Sequence, residues 1–140
     1  MAEEARWRLR FENFERALGQ LETSVGGLPE GGLSDIEQAG LIKQFEYSWE
    51  LGWKSMRDFL FETGTRIKVP VPANVIRAAH EVGLIEDGAS WMDAKNARNQ
   101  MSHEYSRDDA EKIVADIRRR YLPLLIGLRR SLTDERARGN

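Results

Sequence analysis

Trp7, Phe11, Phe14, Leu18, Leu21 and Val25 are spaced four, three, four, three and four residues apart, the interval of one helix face. This predicts a first helix through these positions. The stretch from Gly26 to Gly32, with Pro29 inside it, stops that helix, because glycine frees the backbone and proline cannot continue the hydrogen-bond ladder. Ser34 followed by Glu37 is a capping-box pattern, predicting a second helix that runs to about Glu62 or Thr63, with Gly64 placed to end it. Phe45, Trp49, Trp53, Met56 and Leu60 form its apolar stripe, and aromatic residues at this spacing read as core rather than as a cofactor box. Glu50 and Lys54 stand at the i, i+4 interval that favours an ion pair. Gly52 is unusual inside a helix, where it costs about 0.5–1 kcal/mol relative to alanine unless close packing demands it.

Downstream, Thr65 to Pro72 holds two prolines and several β-branched residues, the composition of an extended crossover. Pro72 then suits the first turn of a short helix through Val75, Ile76, Ala79 and Val82, ended by Gly83. A further helix is expected from near Asp87 through Trp91, Met92 and Ala94 into the segment Arg98 to His103. Ser106 with Asp109 resembles a cap. Ile113, Ile117, Tyr121, Leu124, Leu128 and Leu132 then mark a final long helix, which Pro123 should kink. No segment alternates as a strand would, and no repeat of solenoid length is present. The expected fold is all-α: an antiparallel four-helix bundle, up-down-up-down, with an extra short helix in a crossover. Residues 1–132 form the single domain, and the polar tail from Thr133 to Asn140 is expected to fray.

Composition narrows the function classes. The 140 residues are 41% hydrophobic and 31% charged, which suits a globular chain with a real core. With no cysteine, disulfide scaffolds, thiol catalysis, zinc ribbons and iron–sulfur ligation are excluded. The acidic opening Met-Ala-Glu-Glu does not read as a secretory signal, and the longest apolar run, Leu122 to Leu128, is far shorter than the roughly 20 residues that span a bilayer. A cytoplasmic protein without membrane contact is the default expectation. The net charge of -2 conceals an asymmetry: the balances over residues 1–62, 63–111 and 112–140 are -5, -2 and +5. The basic end could meet phosphate or an acidic partner, or be a solvated helix face.

Both histidines precede glutamate, as His80-Glu81 and His103-Glu104. A zinc protease motif needs a second histidine four residues after the first, where Leu84 and Arg107 stand. Gly26-Gly27 and Gly31-Gly32 lack the Lys-Ser/Thr of a phosphate-binding loop. The densest polar cluster contains Asp93, Lys95, Asn96, Arg98, Asn99, His103 and Tyr105. At about 100° per residue, Asn99 and His103 project roughly 40° apart on one helix, whereas Arg98 and His103 diverge by about 140°. A site using both Arg98 and His103 therefore needs an unwound helix end or a second copy of the helix across a two-fold axis. Chemically, an imidazole can move a proton near neutrality, an arginine can hold a phosphate by two hydrogen bonds, and an amide can orient either. The structural alternative makes His103 a helix-end residue near the C-terminal dipole and Arg98 a surface salt-bridge former.

Arg98-Asn99-Gln100-Met101-Ser102-His103-Glu104-Tyr105 resembles the R-N-x-x-x-H-x-Y signature of the HEPN superfamily. Phe45-Glu46-Tyr47-Ser48-Trp49-Glu50-Leu51-Gly52-Trp53-Lys54 resembles the second-helix signature of its nucleotidyltransferase substrate-binding family, which is related to HepT-type toxins. Pro72, Gly83-Leu84-Ile85 and Trp91 follow in matching order, so the resemblance covers roughly residues 7 to 132. It implies a homodimeric bundle, encoded beside a minimal nucleotidyltransferase and bound to it, that helps bind nucleotide or substrate through Arg98, Asn99 and His103, with no metal or other cofactor. The same resemblance allows an alternative, a metal-independent ribonuclease toxin. There Arg98 and His103 of two protomers would share a cleft, His103 handling the 2'-hydroxyl proton and Arg98 stabilising phosphorane charge. Tyr105 matches the tyrosine that accepts AMP from the partner enzyme in related toxin–antitoxin pairs. Its structural alternative is a partly buried aromatic closing the bundle end.

Overall fold

The computed structural model describes residues 2–29 and 32–139. It contains α1 (Ala2–Gly26), α2 (Asp35–Glu62), α3 (Pro72–Glu81), α4 (Gly88–Met101), α5 (Arg107–Asp116) and α6 (Leu122–Arg138), with a π-helical turn, Ile117–Tyr121, joining α5 to α6. Among the described residues there is no strand, and the chain has the all-helical fold expected of it. Of the loop expected after α1, Glu30 and Gly31 lie outside the described residues, as do Met1 and Asn140.

The local signals act where the sequence places them. Ser34 Oγ accepts the Glu37 backbone N–H while the Glu37 carboxylate accepts the Ser34 N–H, at 3.1 and 2.9 Å, so two of the orphan donors at the start of α2 are satisfied reciprocally. At its other end the Thr65 N–H reaches back to the Leu60 carbonyl at 2.8 Å and the Gly64 N–H to Phe61 at 3.2 Å. This Schellman closure requires a positive φ at Gly64, which is +93°. Gly83, at φ +81°, closes α3 in the same way through Leu84 N–H to Ala79.

Trp7, Phe11, Phe14, Leu18 and Leu21 of α1 are buried against Phe45, Trp49, Trp53, Met56 and Leu60 of α2. Gly52 faces both α1 and α6: a Cβ there would lie 3.1 Å from the Phe14 ring and 3.4 Å from Leu125. Close packing explains this glycine.

The final rod differs from expectation in three respects. Its ladder widens rather than merely kinking ahead of Pro123, with the Leu122 N–H bonding the Ile117 carbonyl, an i to i-5 bond that inserts one residue into the turn. The proline, which has no N–H to give, falls in the first turn of α6. As a result Ile117, Tyr121, Leu125, Leu128 and Leu132 form the buried stripe, whereas Leu124 and Ile113 are only half-buried. Residues 133–138, expected to fray, continue the helix to Arg138. Arg136 donates to the Glu15 carboxylate at 2.9 Å and lies over the Phe11 ring at 4.8 Å, so contacts to α1 hold this polar segment in place. Among the described residues no helix is long and apolar enough to cross a membrane.

Candidate functional site

α4 presents two faces with different chemistry. Trp91, Ala94 and Met101 are buried, with the Trp91 ring 5.2 Å from Trp49 of α2. Their spacing puts Arg98 on the same face, between Ala94 and Met101. Its guanidinium therefore points toward α2, where Nη2 stands 3.3 Å from Glu50 Oε1. Glu50 also takes Lys54, at 3.5 Å, and the Trp53 indole N–H, at 3.3 Å. The Glu50–Lys54 pair read from the sequence is thus one arm of a small network whose other arm is Arg98. Arg98 Nε is buried without a hydrogen-bond partner.

The opposite face of α4 borders a cleft of about 650 Å³, whose other wall is α5 and the π turn. Asp93, Asn96, Ala97 and Gln100 line it from α4, and Asp109, Lys112, Ile113 and Asp116 from α5. α4 ends at Met101, with Ser102 as its cap, and the His103 N–H bonds the Gln100 carbonyl at 3.0 Å. The expected continuation of this helix to His103 does not occur, so the 40° relation between Asn99 and His103 does not hold. The unwound end turns His103 and Tyr105 into the cleft. Neither Arg98 nor Asn99 lines it. A second capping box restarts the chain: Ser106 Oγ accepts the Asp109 N–H at 3.1 Å, and the Asp109 carboxylate accepts the Ser106 N–H at 3.2 Å.

The floor of the cleft is Arg120 and Tyr121. Arg120 Nη2 donates to Asp93 Oδ2 at 2.9 Å, Nη1 donates to the Tyr121 hydroxyl at 3.4 Å, and the guanidinium lies 5.2 Å from the centre of the Tyr121 ring. Burial is the main cause that raises the Tyr121 hydroxyl above its usual range; Arg120 opposes it, and Asp116 and Asp93 reinforce it. Within the chain, therefore, Arg120 is the arginine that shares a cleft with His103 and Tyr105. Sequence reasoning missed it because its partner, Asp93, is 27 residues away. At the foot of α4, Asp87 accepts the Ser90 N–H and hydroxyl at 3.0 and 2.6 Å. These bonds are the main reason its carboxyl is held below its usual range.

The basic end is partly neutralised inside the fold. Arg129 grips the Glu22 carboxylate through both terminal nitrogens, and Arg136 grips Glu15. Arg118 and Arg119 of the π turn make no ion pair among the described residues. No group of three or more His, Asp or Glu side chains among the described residues could hold a metal ion.

A family model described as nucleotidyltransferase substrate binding protein like matches residues 9–134. The Haemophilus influenzae protein named "Probable ribonuclease HepT" is 32% identical over 88 residues, 61% of this chain, and the match spans only 60% of that relative. A crystal structure of a Thermus thermophilus protein matches with a TM-score of 0.69 at 28% identity, covering 87% of this chain and 97% of the other. A Haemophilus influenzae structure, reported as revealing the fold of a substrate binding domain of a nucleotidyltransferase, matches with a TM-score of 0.60 at 25% identity, covering 92% and 98%.

Proposed function

Because the chain belongs to the nucleotidyltransferase substrate-binding protein family, we propose that it is the homodimeric binding subunit of a separately and adjacently encoded minimal nucleotidyltransferase. The match of residues 9–134 to that family carries this reading. In it the bundle is a cytoplasmic protein that helps form the nucleotide or substrate site of the enzyme rather than performing chemistry itself. The split between the two faces of α4 supports a composite arrangement. Arg98 is held toward α2 by Glu50, and His103 opens onto the other side, so a site that uses Arg98, Asn99 and His103 together draws them from two protomers.

Coexpression with the neighbouring nucleotidyltransferase tests this reading. A stable complex on size-exclusion chromatography with light scattering, and RNA left intact by the isolated bundle, are the expected results. Failure to copurify refutes it.

A second reading is favoured by the likeness to the relative named as a ribonuclease: a metal-independent ribonuclease toxin of a toxin–antitoxin pair, silenced by AMP transfer to Tyr105. His103 would take the 2'-hydroxyl proton and Arg98 of the partner subunit would stabilise the phosphorane. An AMP group on Tyr105 would place an anion and its bulk in the cleft beside His103. RNA cleavage lost in both His103→Ala and Arg98→Ala, with the mass of AMP on Tyr105 after coexpression, would establish this reading over the first.

A further inference from the structure

We propose that the cleft between α4 and α5 is a nucleoside site, one that takes the base and ribose of a nucleotide and leaves its phosphates outside. The proposal rests on the reading of the chain as a nucleotide-handling subunit and deepens it by naming the part of the ligand that this cleft grips.

Charge excludes the phosphates. Four carboxylates (Asp93, Glu104, Asp109 and Asp116) line the cleft against two cations, Lys112 and Arg120. Arg120 is already committed, hydrogen-bonded to Asp93 and laid over Tyr121. A phosphate inside would meet an excess of like charge and, from the lining of a single chain, no free guanidinium, the group best shaped to hold it by two bonds.

The remaining lining suits an uncharged, planar, hydrogen-bonding ligand. Ala97, Met101 and Ile113 supply apolar contact, and Tyr105, half-buried in the cleft wall, offers an aromatic ring, the residue type on which bases stack; the Tyr121 ring is already covered by Arg120. Asn96 and Gln100 are exposed, line the same wall and have side chains with no hydrogen-bond partner in the fold. A side-chain amide matches the paired donor and acceptor on a base edge. Carboxylates, repulsive to phosphate, are good acceptors for ribose hydroxyls. The cleft volume of about 650 Å³ lies within the span of small-ligand sites, roughly 300–1,000 Å³. Arg118 and Arg119 are exposed on the π turn that carries Arg120 but do not line the cleft, so phosphates that remain outside face solvent.

Calorimetric titration of the full chain with adenosine, guanosine, cytidine and uridine, and with their 5'-monophosphates, tests the proposal. At least one nucleoside should saturate a site, with its monophosphate binding less than tenfold tighter. Asn96→Ala or Gln100→Ala should weaken that nucleoside by about tenfold, the loss of one paired amide. Both side chains are exposed, and an unchanged melting temperature verifies that the variants fold. Asp116→Asn should raise the affinity for the monophosphate relative to the nucleoside. A monophosphate bound tenfold or more tighter than its nucleoside overturns the proposal, as does a lack of saturation by any nucleoside at its solubility limit. Binding of tetra-arginine that Asp116→Asn abolishes, with nucleosides silent, would make the cleft a dock for a basic chain instead. If nucleosides fail while the nucleotidyltransferase complex forms, only this inference falls; if the complex also fails, so does the reading beneath it.

Discussion

Replacing Gly52 by alanine sets two effects of opposite sign against each other. Helix propensity favours the substitution by about 0.5–1 kcal/mol. Against it, the new Cβ would stand 3.1 Å from Phe14 Cε1, tighter than an ordinary carbon–carbon contact, and 3.4 Å from Leu125 Cδ2 and 3.5 Å from Phe14 Cζ, at the near edge of one. Neither neighbour has room to withdraw. Both are 0% exposed, and Phe14 is backed by the Phe11 ring 6.2 Å away, which Arg136 covers in turn. Overpacking of this kind costs about 1–3 kcal/mol, so the net expectation for Gly52→Ala is a loss of up to about 2.5 kcal/mol. For a chain of this size that lowers the melting temperature by up to roughly 10 °C. Thermal and urea unfolding followed by circular dichroism measure it directly. Gly127 provides the matched control: it lies in α6, is exposed and has nothing within 4 Å of an added Cβ, so Gly127→Ala should stabilise by about 0.5–1 kcal/mol. The cost at Gly52 should shrink in a Phe14→Leu background, a coupling of about 0.5 kcal/mol or more. A Gly52→Ala protein as stable as the Gly127→Ala protein would refute the packing argument.

Other expectations concern caps, charge and pH. Ser106→Ala removes the acceptor for the Asp109 N–H and should lower the urea midpoint by an amount equivalent to about 1 kcal/mol; no change would mean that the second capping box adds nothing to the fold. Arg136→Ala should cost about 1 kcal/mol through loss of the Glu15 pair and of the contact over Phe11, and should expose the last turns of α6 to faster amide exchange. Hydrogen bonds from Arg129 are the main cause that holds the Glu22 carboxyl below its ordinary value of 4.5; burial opposes them and the Arg129 charge adds to them. A depressed carboxyl adds stability that is complete above its unfolded value and is lost as pH falls through the folded one. The stability difference between wild type and Glu22→Gln should therefore be flat above pH 4.5 and shrink below it. A difference that persists unchanged to about pH 3 would contradict the assignment.

How far the sequence could be read depended on the range of each signal. Ser34 with Glu37, Ser106 with Asp109, Pro72, Gly64 and Gly83 act within four or five residues of their own position, and each does in the fold what its chemistry suggests. The stripes of α1 and α2 were legible because a regular helix repeats them. The register after Ile117 was not, since two successive intervals of four, from Ile117 to Tyr121 to Leu125, fit an ordinary stripe as well as a widened turn; the choice of Leu124 over Leu125 followed from that ambiguity. Pairs such as Arg129 with Glu22 and Arg136 with Glu15, separated by 107 and 121 residues, leave no local trace, so the basic end seemed freer than it is. The candidate site was half legible. The divergence of Arg98 from His103 was read from a helix that was expected to reach His103; α4 stops at Met101 instead, and the unwound end, not helix phase, sets where His103 lies. Yet the 3, 4, 3 spacing of Trp91, Ala94, Arg98 and Met101 also marked Arg98 as the charged member of a buried face, a signal available in the sequence and overlooked.

The π turn makes the two halves of the last rod separately adjustable. One extra residue in a helix rotates everything beyond it by about 100°, so the cleft-facing set on α5 and the core-facing set on α6 keep independent phases. A relative without the widened turn should align with this chain only by a single-residue gap between Ile117 and Leu122. A laboratory deletion of Arg119 would force the same choice: either the core keeps its leucines and the cleft turns its carboxylates away, or the reverse.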